Sequence, residues 1–241
     1  DECRFIGAAG WTAIYKMFPD AYHLGLDASP CRLDGKGLGT YFKALVLGPT
    51  YKELQRLGHL VPFRVFAPSS IDMTGVKTSH GDYDAKQAAE RVDQPSIVGD
   101  IVGHWSKFCL GRQGLTFATS RLHSEHLAAA YRDAGVKAIH LDGDTPKDER
   151  RRIVAKFRRR EIDVLTNVDL FTSGFDVSGV SVITMARPTQ SLPIYLQQCG
   201  RALRPKNEPA IILDHAGNLM RHGLPDDDRT WRLGGIDKKT K

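Results

Sequence analysis

The sequence predicts an α/β protein built on a mostly parallel sheet with helices on both faces, and two observations lead to that prediction. From Ile97 onward, short apolar runs of strand length alternate with amphipathic stretches of helix length. Strands that alternate with helices form right-handed crossover units, and such units give a parallel sheet. The chain has 241 residues, of which 41% are hydrophobic, so it is long and apolar enough to bury a core.

The elements predicted for this part of the chain alternate regularly, except for two strands that a glycine-containing loop joins. Sharply bounded apolar runs predict the strands, and apolar residues with helical spacing predict the helices. In chain order they are a helix over 97–108, a strand over 115–119, a helix over 123–134, a strand over 138–141, a helix over 146–160, strands over 162–166 and 180–185, a helix over 192–203 and a strand over 210–213.

The first part of the chain is less regular. Apolar residues with i, i+3, i+4, i+7 spacing predict a helix over 11–18, which Pro19 ends. Short β-type runs predict strands over 23–26 and 63–67. The stretch 69–95 is rich in Ser, Asp, Gly and Lys and is expected to be a connecting region.

Composition excludes several classes of protein. Lys and Arg number 34 against 28 Asp and Glu, so the formal net charge is +6. No apolar run approaches the roughly 18 residues that a membrane helix needs, so no membrane partner is predicted. The four cysteines form no C-x-x-C pair and are too few for a disulfide scaffold or a zinc ribbon. They predict reduced thiols and a cytoplasmic location.

A first candidate site lies on the predicted helix 192–203, with the pattern Gln197-x-x-Gly200-Arg201-x-x-Arg204. Two arginines three residues apart share a helix face, and their permanent charges suit a phosphoryl group in transfer. Gly200 would let a neighbouring surface come close. The alternative is a solvated basic helix end, which is common in proteins.

A second candidate site follows a predicted strand, where Thr166 and Asn167 precede a loop that contains Gly174 and Asp176. Hydroxyl and amide groups at a strand's carboxyl end suit phosphate oxygens, and an acid in a tight loop suits a ribose hydroxyl. These residue types also occupy turns without any ligand, so the alternative is ordinary loop structure.

Two further features have alternative interpretations. Ser120 and Arg121, at the end of the predicted strand 115–119, contact a nucleic-acid backbone or cap the following helix. The basic run 147–160 carries eight Lys and Arg residues against two acids. It is a solvated helix face or a surface that attracts phosphates without sequence preference.

The order of these motifs resembles the second motor domain of superfamily 2 DEAD/DEAH-box helicases of the bacterial and phage type. The resemblance covers nearly the whole chain. The matching segments are Asp1-Glu2-Cys3-Arg4 (motif II, the Walker B box), 25–35 (motif III), 116–121 (motif IV), 164–176 (motif V), 197–204 (motif VI) and the stretches 213–218 and 221–223.

The resemblance implies a RecA-like fold, ATP as cofactor and the following roles. Asp1 would hold Mg²⁺, and Glu2 would position or deprotonate the attacking water. The other residues implied at the nucleotide are Gln197, Arg201 and Arg204 at the γ-phosphate, Asp176 at the ribose, and Gly174 and Gly200. The resemblance also implies a nucleic-acid strand along Ser120, Arg121, Gly143, Thr166 and Asn167, without deciding between DNA and RNA.

The sequence departs from the family pattern at two positions that contact each other in these helicases. Arg4 stands where His is usual, and Asp27, two residues before Ser29, stands where Thr or Ser is usual. Because the two replacements have opposite charges, we predict that Arg4 and Asp27 form an ion pair that couples the nucleotide site to the strand. The alternative is that Arg4 points to solvent.

The resemblance divides the chain into 1–60, a remnant of the first motor domain, and 61–241, a linker and the second. The chain starts on two acids without Met and contains no G-x-x-x-x-G-K-[ST] phosphate loop, which suggests a piece of a longer protein with further domains or subunits. The expected function is part of an ATP-dependent helicase or translocase, and a nuclease-associated motor of a restriction system is a further alternative. The alternative is a non-hydrolysing nucleic-acid-binding or interaction module that keeps the fold as a scaffold.

Overall fold

The structure is a computed structural model, which describes residues 1–68, 71–79, 81–170 and 179–235. Its helices are α1 Ala9–Met17, α2 Tyr51–Arg56, α3 Ala85–Val92, α4 Pro95–Phe108, α5 Arg121–Asp133, α6 Lys147–Arg158, α7 Leu192–Ala202 and α8 Asn218–His222, and Cys3–Phe5 forms a 3-10 helix. Its strands are β1 Phe63–Phe66, β2 Thr78–Ser79, β3 Asp82–Tyr83, β4 Gly114–Phe117, β5 Ala138–Leu141, β6 Val164–Asn167, β7 Val182–Met185 and β8 Ala210–Asp214.

Six of these strands form one parallel sheet in the order β1-β8-β7-β4-β6-β5. The remaining two, β2 and β3, pair with each other as a short antiparallel hairpin. The parallel α/β prediction is therefore confirmed. Strand β1, the first in the chain, therefore enters the sheet by pairing with β8, the last in the chain.

Helices cover both faces of the sheet, and two clusters of buried side chains form the core. On one face, α4 and α5 pack through Trp105, Leu127 and Tyr131. On the other, α6 and α7 pack through Phe157 and Leu196. The period-2 alternation of strand side chains produces this division: in β4, Leu115 and Phe117 face α6 and α7, whereas Thr116 contacts Tyr131 of α5.

The segment before the sheet has few regular elements. The predicted helix over 11–18 is confirmed as α1, but the strand predicted over 23–26 is wrong, since that stretch is irregular and pairs with no strand that the structure describes. The short helices α2 and α8 were not predicted. The α2 helix begins with a reciprocal cap in which Thr50 and Glu53 bond each other's backbone N–H groups.

Candidate active site

Arg4 and Asp27 form a fully buried ion pair. Nη1 of Arg4 donates to Oδ1 of Asp27 at 2.8 Å, and neither side chain has exposed surface. The backbone N–H groups of Arg4 and Ser29 also donate to the Asp27 carboxylate, at 3.0 and 2.8 Å. The predicted ion pair is therefore present. Its role in coupling stays a prediction.

Glu2 brings the start of the chain to helix α7. Its carboxylate pairs with the Arg4 guanidinium and accepts a hydrogen bond of 3.2 Å from Nε2 of Gln197. Burial lowers the pKa of Arg201, and the nearby Glu2 carboxylate offsets part of this shift. The structure therefore gathers Glu2, Arg4, Gln197 and Arg201 into one charged cluster.

Other residues predicted for this site lie at its margin. Asp1 is exposed, and its Oδ1 accepts the N–H of Glu2 at 3.0 Å. Gly200 is half-buried, but outside its own helix no described atom lies within 4 Å of the place where a Cβ would stand. Close approach of a neighbouring surface, the reason inferred for this glycine, is thus not seen. Gly174 and Asp176 lie outside the described residues.

Arg204 corrects the prediction that two arginines share one helix face. Helix α7 ends at Ala202, so Arg201 lies on the helix and Arg204 lies beyond it. The physical reason is Pro205, because a proline disfavours helical backbone at the residue before it. Arg204 is half-buried, and its carbonyl accepts Nζ of Lys206 at 2.9 Å.

Thr166 and Asn167 are fully buried at the carboxyl end of β6. Oγ1 of Thr166 donates to the Ser124 carbonyl at 2.8 Å, and Nδ2 of Asn167 donates to the Thr116 carbonyl at 3.1 Å. Both side chains are therefore engaged inside the protein, and their contact with a nucleic-acid strand stays a prediction. A buried polar side chain needs partners, and here the protein provides them for the Thr166 hydroxyl and for the Asn167 amide nitrogen.

The loop after β5 is more accessible and is held by basic side chains. Gly143 is exposed in this loop, and exposed Arg121 pairs with Asp142, at 3.2 Å, and with Asp144. Sequence reasoning missed Arg150, whose Nη2 donates to three loop carbonyls, each at 3.1 Å. Within the basic run 147–160 it is the one arginine that is not exposed, and the run itself gave no sign of that.

Ser120 caps helix α5, because its Oγ accepts the N–H of His123 at 3.1 Å. The helix-cap interpretation of this residue is therefore confirmed. Ser120 is only half-buried, so the cap does not remove the hydroxyl from solvent.

A second missed feature ties the connecting region to the sheet. The carboxylate of Asp82, in β3, accepts hydrogen bonds from Oγ1 of Thr189 at 2.8 Å and the N–H of Gln190 at 2.7 Å, and pairs with Nη2 of Arg187 at 3.2 Å. Arg187 also pairs with Asp169, in the loop after β6. One arginine thus joins the hairpin to the loops after β6 and β7.

The described residues contain no group of three or more His, Cys, Asp or Glu side chains arranged to hold a metal ion. Among the same residues, no helix has the length and apolar character that crossing a bilayer requires.

Comparison with known proteins gives a consistent result. Residues 103–206 match the family described as the helicase conserved C-terminal domain. The chain is 35% identical, over 99% of its length, to the "51.5 kDa protein" of a Lactococcus phage, of which it spans 54%. It is 34% identical, over 37% of its length, to the "Putative ATP-dependent helicase IRC3" of Saccharomyces cerevisiae, of which it spans 13%.

Among solved structures, the fold is similar to a fragment of a "putative HsdR subunit of a type I restriction enzyme" from Vibrio vulnificus. The TM-score is 0.72 at 18% identity, over 91% of this chain and 44% of that one. The chain thus spans about half or less of the length of the proteins it matches here.

Proposed function

The chain belongs to the superfamily 2 helicases through its C-terminal helicase domain, and from this premise we propose that it is part of an ATP-dependent helicase or translocase that acts on nucleic acid. The observation that supports this best is the hydrogen bond between Gln197 and Glu2. It joins the residue proposed to activate water to the helix with the proposed γ-phosphate contacts, across 195 residues of chain.

Within this proposal each side chain of the cluster has a defined task. Glu2 is half-exposed, so its carboxylate reaches both water and the buried cluster. Arg201 and Arg204 provide permanent positive charge for a phosphoryl group in transfer. Their different positions suggest different tasks, with Arg201 beside Glu2 and Arg204 beyond the helix end.

Mg²⁺ and ATP fit the groups that are present. Mg²⁺ is usually held by one or two carboxylates together with phosphate oxygens and water, and the exposed Asp1 offers such a carboxylate. Bound Mg²⁺ would neutralise charge that develops on the phosphates. We also propose that Asp176 and Gly174 contact the nucleotide.

For the nucleic acid, the structure favours the exposed loop after β5 over the buried end of β6. Arg121, Ser120 and Gly143 lie on accessible surface, and the Arg121 guanidinium is directed toward the Gly143 loop by its pairs with Asp142 and Asp144. Contacts of this kind go to the phosphate backbone and carry little sequence preference. We further propose the division into 1–60 and 61–241 as parts of two motor domains, in a cytoplasmic protein.

The test uses the full-length protein and nucleic-acid-stimulated ATP turnover. We expect Arg204→Ala to lower turnover by about 10³–10⁵-fold, the usual effect of losing an arginine that contacts the transferred phosphoryl group. Glu2→Gln should lower it by roughly 10²–10⁴-fold. The control is Lys52→Gln, since Lys52 is an exposed residue whose ion-pair partner, Asp228, is exposed as well.

A fall of less than about tenfold for Arg204→Ala would make this arginine a structural helix-end charge and contradict its assignment. The 241-residue chain by itself should show no appreciable turnover, because it contains no phosphate loop. Turnover by this chain that Glu2→Gln abolishes would contradict that expectation.

A further inference from the structure

Arg4 contacts two carboxylates that differ sharply in their surroundings. It pairs with the Asp27 carboxylate, which has no exposed surface, and with the Glu2 carboxylate, whose side chain is 29% exposed. The guanidinium itself has no exposed surface. The Arg4 guanidinium therefore links the partly exposed Glu2 carboxylate to the buried Asp27 carboxylate.

We propose that Arg4 is a positioning residue that fixes the Glu2 carboxylate relative to Gln197. The inference rests on the proposed function, in which Glu2 acts on the attacking water. The Arg4 guanidinium then both contacts motif III, through Asp27, and orients Glu2. A movement of Asp27 therefore displaces the Glu2 carboxylate directly.

Asp27 is a rigid anchor for this arrangement. It accepts hydrogen bonds from two backbone N–H groups, of Arg4 and Ser29, in addition to Nη1 of Arg4. A carboxylate held by two backbone groups cannot turn without breaking them. Because the guanidinium is planar, fixing one of its nitrogens restricts the directions in which the others donate.

The backbone of Glu2 shows why such an anchor is needed. Its φ of 56° and ψ of 43° lie in the left-handed region, which is unfavourable for a residue with a side chain. Such a conformation persists only where its surroundings hold it. The Glu2 carboxylate has contacts with Arg4 and Gln197 that do so.

Charge balance in the cluster leads to a test with paired substitutions. Arg4→His removes the charged partner of the buried Asp27 carboxylate, whereas Asp27→Thr leaves the buried Arg4 guanidinium with the Glu2 carboxylate alone. The double variant Arg4→His/Asp27→Thr removes both charges together, so it separates the effect of charge balance from the loss of the guanidinium that contacts Glu2. It also restores the residue types usual at these positions in the helicases that the sequence resembles.

In the full-length protein we expect each single variant to lower kcat for ATP by about tenfold or more, with KM for ATP changed by less than about threefold, because a misplaced group affects the chemical step more than substrate binding. The double variant should remain as low as Arg4→His, because it lacks the guanidinium that holds Glu2 even though its charges are balanced. Lys52→Gln again serves as the control. Single variants with unchanged kcat, or a double variant that recovers the original turnover, would overturn the proposal.

A second measurement is independent of ATP turnover and uses the 241-residue chain. The side-chain amide of Gln197 donates to Glu2, so its NMR resonances report where that carboxylate lies. We expect Arg4→His to shift them to the positions seen in Glu2→Ala, which lacks the contact. Resonances that stay unchanged would overturn the positioning role. A full-length protein without turnover would instead refute the proposed function, while this measurement still decides the role of Arg4.

Discussion

The N-terminal segment of about 60 residues and the sheet region that follows it are stabilised in different ways. From β1 onward, large side chains such as Trp105, Tyr131 and Phe157 are fully buried between the sheet and its helices. In the first 60 residues the buried apolar cluster is small, comprising Cys3, Ile6 and Leu38 among the described residues. Large apolar side chains stay exposed there, including Trp11, Ile14, Met17, Phe18, Tyr22, Leu24, Leu26, Val46, Leu47 and Leu57.

This difference shows that the N-terminal segment is ordered by specific polar contacts more than by a core. Its buried Arg4 lies between Glu2 and Asp27, and Glu2 contacts Gln197 in the sheet region. Polar contacts of this kind depend on geometry and fail together when one partner is lost. The segment should therefore tolerate changes in its exposed apolar residues and not in Glu2, Arg4 and Asp27.

Substituting two tryptophans tests the contrast most directly. Trp105→Ala should lower the free energy of unfolding by about 3–5 kcal/mol, because this side chain is fully buried against Tyr131. Trp11→Ala removes the same chemistry from a side chain that is 44% exposed and should cost under about 1 kcal/mol. Urea unfolding followed by circular dichroism measures both.

Equal losses in the two tryptophan variants would show that the N-terminal segment has a core comparable to that of the sheet. A loss of unfolding free energy confined to Trp105→Ala would support the conclusion that the large buried core lies in the sheet region.

Acid should destabilise the sheet region through its buried histidines. Burial lowers the pKa of His123, His215 and His222 to about 4 each. Since the unfolded chain has ordinary histidines with a pKa near 6.5, it binds more protons below that pH. Stability should be full above pH ~6.5 and fall as the pH decreases toward 4.

Thermal unfolding at pH 7, 6 and 5 measures this effect, because most carboxylates titrate below that window. His215→Gln should reduce the loss between pH 7 and 5, as it removes one of the three groups. A midpoint that is flat over this range would show that the histidines are accessible to protons in the folded state.

The smallest effect is expected for Leu24→Ser, since the side chain of Leu24 is 86% exposed. The free energy of unfolding should change by less than about 0.5 kcal/mol. Chemical unfolding of the 241-residue chain measures this change in free energy. A cost above about 1 kcal/mol would mean that this apolar surface is covered, for example by a second copy of the chain.

Much of the sheet could be predicted from the sequence, because each strand and helix carries its own periodicity. The strand over 138–141 agrees with the structure in both bounds, and helix α7 in its start. The strand predicted over 23–26 failed because strand formation depends on a partner, which an apolar run does not specify. Helices α2 and α8 are too short for periodicity to show them.

The contacts of the site could be predicted where two residues compensate for each other in charge. They could not be predicted where burial determines whether a side chain bonds to a ligand or to the protein itself. Arg4 and Asp27 could be paired because both depart from a family pattern with opposite charge. For Thr166 and Asn167, the residue types fit a ligand contact and an interior hydrogen bond equally well. The contacts of Asp82 with the loop after β7 join residues more than 100 positions apart, and local sequence contains no sign of them.

The pairing of β1 with β8 has a consequence for how the chain is made. Phe63 lies opposite Ala210, so this edge of the sheet cannot form until the chain through β8 has left the ribosome. Until then the Phe and Val side chains of β1 have no strand beside them and are open to wrong partners. Parallel pairing between distant strands is also slow to nucleate. The long intervening chain must close into a loop, at a cost in entropy, before the strands can form stabilising contacts. Refolding from denaturant should therefore become more prone to aggregation as protein concentration rises.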